Sequence, residues 1–194
     1  SYDGGGESSV LKVFLCEGNR MELVLKGKLS EFGSLSHLWA FSVSGIKGYD
    51  DNGDGIWRMC KDEGKLMGMA PNGKFDEKIY KILSSCLGYD NFRFFPSGTA
   101  SKTQFLVDYL YTMGYFETLE GMQIYSYNLQ KFTEDIFLRF LDDLHLRYPE
   151  YTKICFAGGL FANVKLNQKI NELPWVEEIY ILDRKSTRLN SSHV

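Results

Sequence analysis

The chain has no run of about 18 apolar residues, the length a helix needs to cross a bilayer, so no membrane span is expected. A basic start followed by an apolar stretch and a small-residue cleavage site is also absent, and no secretory leader is expected. Positive charge is not in excess. The 22 Lys and Arg stand against 25 Asp and Glu, a net charge of −3, which argues against nucleic acid or a membrane surface as partner. Histidine is scarce: His37 and His145 have no partner at ligand spacing, and His193 lies in a polar tail. The four cysteines, Cys16, Cys60, Cys86 and Cys155, are too far apart in sequence for paired zinc ligands. With so few candidate ligands, no metal site is expected within this chain. Cys16 and Cys155 fall in apolar, strand-like runs and are expected to be buried thiols, with a reducing cytoplasm as the simplest setting.

Aromatic residues, by contrast, are abundant. With 12 Tyr and 14 Phe in a chain that is 44% hydrophobic, a dense core is expected rather than disorder. At 194 residues the chain can bury one good-sized core or two small lobes. Both ends look artificial. Ser1 to Glu7 is a glycine-rich turn with no strand in front of it, and Arg184 to Val194 is polar, aperiodic and similar to translated adapter sequence. The expected organisation is one partial domain over residues 1–183 and a non-native tail over 184–194. Without Arg184, Lys185 and Arg188 the domain is more acidic still.

Periodicity places the elements. Val10 to Cys16 and Arg20 to Leu25, around the turn Glu17-Gly18-Asn19, predict a hairpin, with Met21, Leu23 and Leu25 on one face. Ser34 predicts an N-cap for a helix carrying Leu35, Leu38, Trp39 and Phe41 to Val43. A polar loop is expected at Gly48 to Gly55, then helices at about Trp57 to Met69 and Asp76 to Leu87. Residues 89–100 read as irregular, Lys102 to Met113 as helical, and Met122 to Arg147 as the longest helix, stepping through Tyr125, Leu129, Phe132, Ile136, Phe140 and Leu144. The last section predicts a βαβ unit. Its parts are a buried strand at Lys153 to Ala157, a tight turn at Gly158-Gly159, a helix from Leu160 to Leu173, and a parallel strand at Glu178 to Leu182.

Three segments carry candidate chemistry. Asp3-Gly4-Gly5-Gly6-Glu7 can bring main-chain N–H groups close to phosphate, with acids at its edges to hold a metal-bound water or orient a nucleophile. In Glu63 to Gly73, Lys65 can meet a phosphate as a point charge, and Gly68 permits close approach of a backbone or ligand. Cys155 to Asn163 reads as strand, Gly158-Gly159 turn and helix start, a place for the phosphate and ribose of a nucleotide. A glycine-rich turn with solvated acids, a surface lysine and an ordinary strand–helix turn are the plainer readings of the same three segments. Asp50-x-Asn52-x-Asp54-Gly55 begins like an EF-hand loop. Lys61 stands where that loop needs a bidentate Glu, so it is read as an exposed acidic turn.

In order and spacing, Asp3 to Glu7, Ser34 to Leu38, Glu63 to Gly73 and Ala157 to Ile170 together resemble the NodU- and CmcH-type O-carbamoyltransferases, which act on nodulation factors and antibiotics. The resemblance runs over essentially Ser1 to Leu182. It implies a mixed α/β, actin/Hsp70/sugar-kinase-like (ribonuclease H-like) nucleotide-binding domain of the Kae type, here truncated. It also implies a parent that moves a carbamoyl group from carbamoyl-adenylate, made from carbamoyl phosphate and ATP by a YrdC-like domain, to a small-molecule or glycan hydroxyl near an iron-type divalent ion. By match, Asp3 and Lys65 would be catalytic-cleft residues. Gly4, Gly5, Gly6 and Glu7 would form the phosphate loop, Gly68 would line the cleft, and Gly158, Gly159 and Asn163 would hold the adenosine. The family's paired-histidine metal motif, its late metal aspartate and the YrdC-like domain have no counterpart in this sequence, so the isolated chain is expected to be inactive. A tRNA threonylcarbamoyl transferase, a non-catalytic actin-like ATP-binding module and a sugar kinase are the alternatives. Acidic charge speaks against the first, the Glu63 to Gly68 segment against the second, and the lack of a catalytic aspartate against the third.

Overall fold

The computed structural model describes residues 9–43 and 63–182. Strands β1 (Ser9–Glu17) and β2 (Arg20–Lys28) form the expected antiparallel hairpin, with Val13 opposite Leu25 and Cys16 opposite Met21. Gly18 turns the chain at φ 55°, where a side chain is disfavoured. Only the start of the hairpin enters the core. Ser9, Val10 and Leu11 are buried, whereas Phe14, Met21 and Leu23 are exposed. Cys16 is therefore exposed, contrary to expectation, because β1 runs out beyond the packed layer.

Helix α1 (Leu35–Ser42) begins where Ser34 Oγ accepts the His37 N–H at 3.2 Å. The Ser34 N–H in turn donates to Thr99 Oγ1 at 3.0 Å. Helix α2 (Glu63–Met69) gives way to a 3-10 turn, Ala70–Asn72, in which Pro71 takes an early position that needs no N–H. The expected loop at 48–55, the acidic turn at 50–61 and the segment 57–62 lie outside the described residues. Asp76 caps α3 (Glu77–Cys86), its carboxylate accepting the Lys78 and Ile79 N–H groups at 2.9 and 3.1 Å. Asp76→Ala is expected to cost about 1 kcal/mol, measurable as a lower urea midpoint. Residues 89–100 are more ordered than periodicity suggests. β3 (Gly88–Asp90) and β4 (Arg93–Phe95) form a short hairpin that buries Tyr89 and Phe94, and α4 (Thr99–Thr112) starts at Thr99.

Around α5 (Leu119–Arg147) the other elements gather. Its apolar side carries an aromatic chain: Phe116 meets Tyr125 at 5.1 Å, Phe94 meets Phe140 at 5.4 Å, and Phe137 meets Phe161 at 5.6 Å. Polar residues along the same helix fasten the loops. Asn128 donates to the Lys74 carbonyl and accepts the Asp76 N–H, both at 3.0 Å, and Trp39 Nε1 donates to Thr133 Oγ1 at 2.9 Å. Tyr80 and Tyr89 donate their hydroxyls to Asp135 and Asp143 at 2.8 and 2.6 Å.

Burial first, and then the neighbouring carboxylate, raises Tyr80 and Tyr89 well above the usual tyrosine range; burial above all, with a further contribution from Cys86, raises Tyr125 against a lowering hydrogen bond from Ser42. A group whose folded pKa is raised stabilises the fold fully below its unfolded value, about 10 for tyrosine, and loses that contribution as pH rises through the folded value. The urea midpoint should therefore hold to about pH 10 and fall at about pH 11. An unchanged midpoint at the higher pH would contradict the burial of these rings.

β5 (Lys153–Phe156) and β6 (Glu178–Ile181) pair in parallel, Ile154 opposite Ile179, as the βαβ pattern predicts. The connecting helix is shorter than expected. A 3-10 turn, Gly159–Ala162, comes first, and α6 (Val164–Asn171) starts only after Asn163. β5 is also not a buried strand. Among the described residues its sheet has two strands, so Lys153 and Cys155 face outward and the Cys155 thiol is exposed. The architecture is mixed, with helices packed on one long helix and small sheets at the periphery.

Candidate functional site

The turn after β5 is set by glycine chemistry. Gly158 has φ 116° and ψ 166°, a conformation open essentially to glycine alone. Phe161, two residues beyond Gly159, is stacked on Phe156 at 4.3 Å and meets Phe137 edge-on, so the turn is clamped between strand and long helix. Asn163 then ends it. Its Oδ1 accepts the Leu166 N–H at 3.0 Å and its Nδ2 donates to Gln130 Oε1 at 2.9 Å. Gln130 Nε2 is shared between Asn163 Oδ1 at 3.3 Å and Glu134 Oε1 at 2.6 Å. A second amide, Asn167, donates to the Phe161 carbonyl at 2.9 Å.

Two consequences follow for the expected nucleotide site. The start of α6 is not an open helix end, because the Asn163 side chain already fills it. Asn163 is buried and its amide is committed to the cap and to Gln130. What the turn still presents is partly exposed main chain at Gly158 and Gly159. Main-chain N–H groups at such a turn suit the phosphates of a nucleotide. On the outer side of α6, Lys169 and Glu172 satisfy each other at 2.8 Å; their hydrogen bond raises the lysine and lowers the carboxylate.

Lys65 lies exposed on α2, and Gly68 follows it on the same helix. No atom comes within 4 Å of where a Gly68 side chain would begin, so the close packing expected there is not with the described protein. Helix α1 touches both α2 and the turn after Gly158, and so does α5, which meets the turn through Phe137 and Phe161. Asp3, Gly4, Gly5, Gly6 and Glu7 lie outside the described residues. Sequence reasoning passed over Gln130, whose signal was a polar residue on the apolar stripe of the longest helix.

For the iron-type ion that the resemblance implies, the fit fails among the described residues. No group of three or more His, Cys, Asp or Glu side chains converges there. His145 is instead stacked face to face on Trp175 at 4.3 Å. Nor, among the described residues, is any helix long and apolar enough to cross a membrane.

A mixed α/β chain with a glycine turn clamped to a long helix is thus the class at hand. The chain belongs to the carbamoyltransferase N-terminus family, whose profile matches residues 10–185. It is also similar to an uncharacterized protein of Methanocaldococcus jannaschii, 26% identical over 187 residues, an alignment covering 89% of this chain and 31% of that protein. The chain therefore spans less than a third of the length of that curated relative.

Proposed function

We propose that this chain is the nucleotide-binding part of an O-carbamoyltransferase, built on an actin-like fold and working in a longer parent protein. The observation that carries the reading is the family match over residues 10–185. The parent would take carbamoyl phosphate and ATP, pass through carbamoyl-adenylate with the help of a YrdC-like domain, and deliver the carbamoyl group to a hydroxyl of a sugar or natural product. In this reading Gly158 and Gly159 offer main chain to the adenosine, and Asn163 acts by shaping the turn through its cap and its Gln130 pair. Lys65 faces a phosphate as a point charge, Gly68 leaves room beside it, and Asp3 to Glu7 form the phosphate loop. No step is assigned to the metal, whose ligands are not among the described residues. The threonylcarbamoyl transferase and the non-catalytic ATP-binding module remain the competing readings, and no structural observation favours either.

Calorimetric titration of the 194-residue chain with ADP tests the nucleotide reading. Binding is expected, weakened about tenfold in Lys65→Ala through loss of one charge-assisted contact. Gly68→Ala should leave the fold intact and still reduce binding, because among the described residues nothing occupies the space the methyl group would fill. Absence of ADP binding by the unaltered chain would overturn the site assignment. Carbamoyl transfer by the isolated chain would overturn its expected inactivity.

A further inference from the structure

Where α5 passes the Gly158 turn, a chain of hydrogen bonds runs head to tail. The Leu166 N–H donates to Asn163 Oδ1 at 3.0 Å, Asn163 Nδ2 donates to Gln130 Oε1 at 2.9 Å, and Gln130 Nε2 donates to Glu134 Oε1 at 2.6 Å. Each bond has the same sense, from the main chain of α6 to a carboxylate on α5. The last is the shortest, as expected of a bond that ends on a charge. Bonds aligned in one sense polarise one another, most of all where water is excluded. Asn163 and Gln130 are 4% and 6% exposed, so water does not set the orientation of either amide.

A side-chain amide has nearly the same shape either way round, so the sense of this chain is fixed at its ends. One end is the Leu166 N–H, which can only donate. The other is the Glu134 carboxylate, which can only accept. Between them the two amides face each other, with a return contact from Gln130 Nε2 to Asn163 Oδ1 at 3.3 Å. Turning Gln130 alone would set NH2 against NH2 and oxygen against oxygen. Turning both would keep the pair, but the Gln130 oxygen would then face the carboxylate and the Asn163 NH2 would face the Leu166 N–H. The cap of α6 would be lost. Lys169, the α6 cation that feels Glu134, is bonded to Glu172 at 2.8 Å, and the Glu134 contact stays with Gln130.

We infer that Glu134 is a positioning residue of the nucleotide turn. Its charge sets the sense of Gln130, Gln130 sets that of Asn163, and Asn163 keeps α6 capped and the Gly158–Gly159 main chain in the conformation that meets the ligand. This rests on the nucleotide reading proposed above. Glu134 acts through Gln130 and is assigned no contact with the ligand.

Two variants of the 194-residue chain test the inference. Glu134→Met removes the acceptor and keeps an unbranched side chain of good helix propensity, whereas Glu134→Asp keeps a carboxylate at i,i+4 spacing from Gln130. Nitrogen–proton NMR follows the side-chain NH2 signals of Gln130 and Asn163, hydrogen exchange follows the Leu166 N–H, and calorimetry follows ADP. In the unaltered chain the Gln130 proton aimed at Glu134 is expected downfield of the other. Glu134→Met should abolish that shift, speed exchange at Leu166 at least about tenfold and weaken ADP binding about tenfold, with exchange in α4 unchanged. Glu134→Asp should bring all of these back to within about threefold of the original. An unshifted Gln130 signal or unaltered Leu166 exchange in Glu134→Met would overturn the inference. So would an ADP affinity that ignores the substitution, or an Asp variant that behaves like Met. Absence of ADP binding by the unaltered chain would overturn the nucleotide reading instead, and the Gln130 and Leu166 signals would then decide by themselves whether Glu134 holds the turn.

Discussion

Gly73→Ala is expected to destabilise the protein by about 3 kcal/mol, lowering the melting temperature by about 6–12 °C. Backbone conformation is not the reason. Gly73 has φ −87° and ψ −178°, extended geometry that alanine adopts readily. The cost is steric. A Cβ at this position would fall on the Gln123 carbonyl oxygen and 2.6 Å from the Tyr127 Cβ, both on α5. Main chain inside a long helix cannot yield as a flexible side chain would, so the 3-10 turn would have to lift away. That turn is also held by the Asn128 bridge to Lys74 and Asp76, so lifting it strains those bonds as well. Gly64→Ala provides the contrast. It lies exposed on α2 with none of the described residues within 4 Å of an added Cβ, and alanine there should stabilise by about 0.5–1 kcal/mol through helix propensity. Paired thermal melts of the two variants decide the matter. A Gly73→Ala protein melting like the unaltered chain would mean that the turn does not rest on α5.

Phe137→Ala should cost about 3–5 kcal/mol and loosen the candidate nucleotide turn in particular. The ring is 1% exposed and touches Phe140 and Phe161 at 5.6 Å and Phe156 at 6.4 Å. Removing it leaves a cavity between the long helix and the turn, and Phe161 loses the support that holds Gly158 and Gly159 in place. Amide hydrogen exchange should accelerate across 157–163, next to Phe161, more than across the outer end of the β1–β2 hairpin. Equal acceleration in both places would argue for general destabilisation instead. If the turn binds ADP, affinity should fall in this variant together with the loss of protection.

Much of the architecture was legible from local signals because those signals were strong. Ser34 caps α1, a helix follows Asp76, and the hairpin around Gly18 and the parallel pairing of β5 with β6 are all in place. The short hairpin β3–β4 was not legible. Its strands are three residues long, too short for a period-two pattern, and they persist because Tyr89 and Phe94 pack on Phe140. The thiols were misplaced for a related reason. An apolar run marks a strand, but its exposure depends on how many layers cover it, and at Cys16 and Cys155 no layer does.

By itself the sequence determined the family, through the spacing of its glycine segments, together with the long helix and the order of the elements other than β3 and β4. These follow from residue spacing and backbone preference, which act over a few neighbours. Only the tertiary structure decided that Asn163 closes the turn with Gln130, 33 residues away, and that Gly68 meets none of the described residues while Gly73 is pressed against α5. Contacts between residues far apart in the chain arise when helices pack, and no local pattern encodes which glycine will meet a neighbour and which will meet solvent.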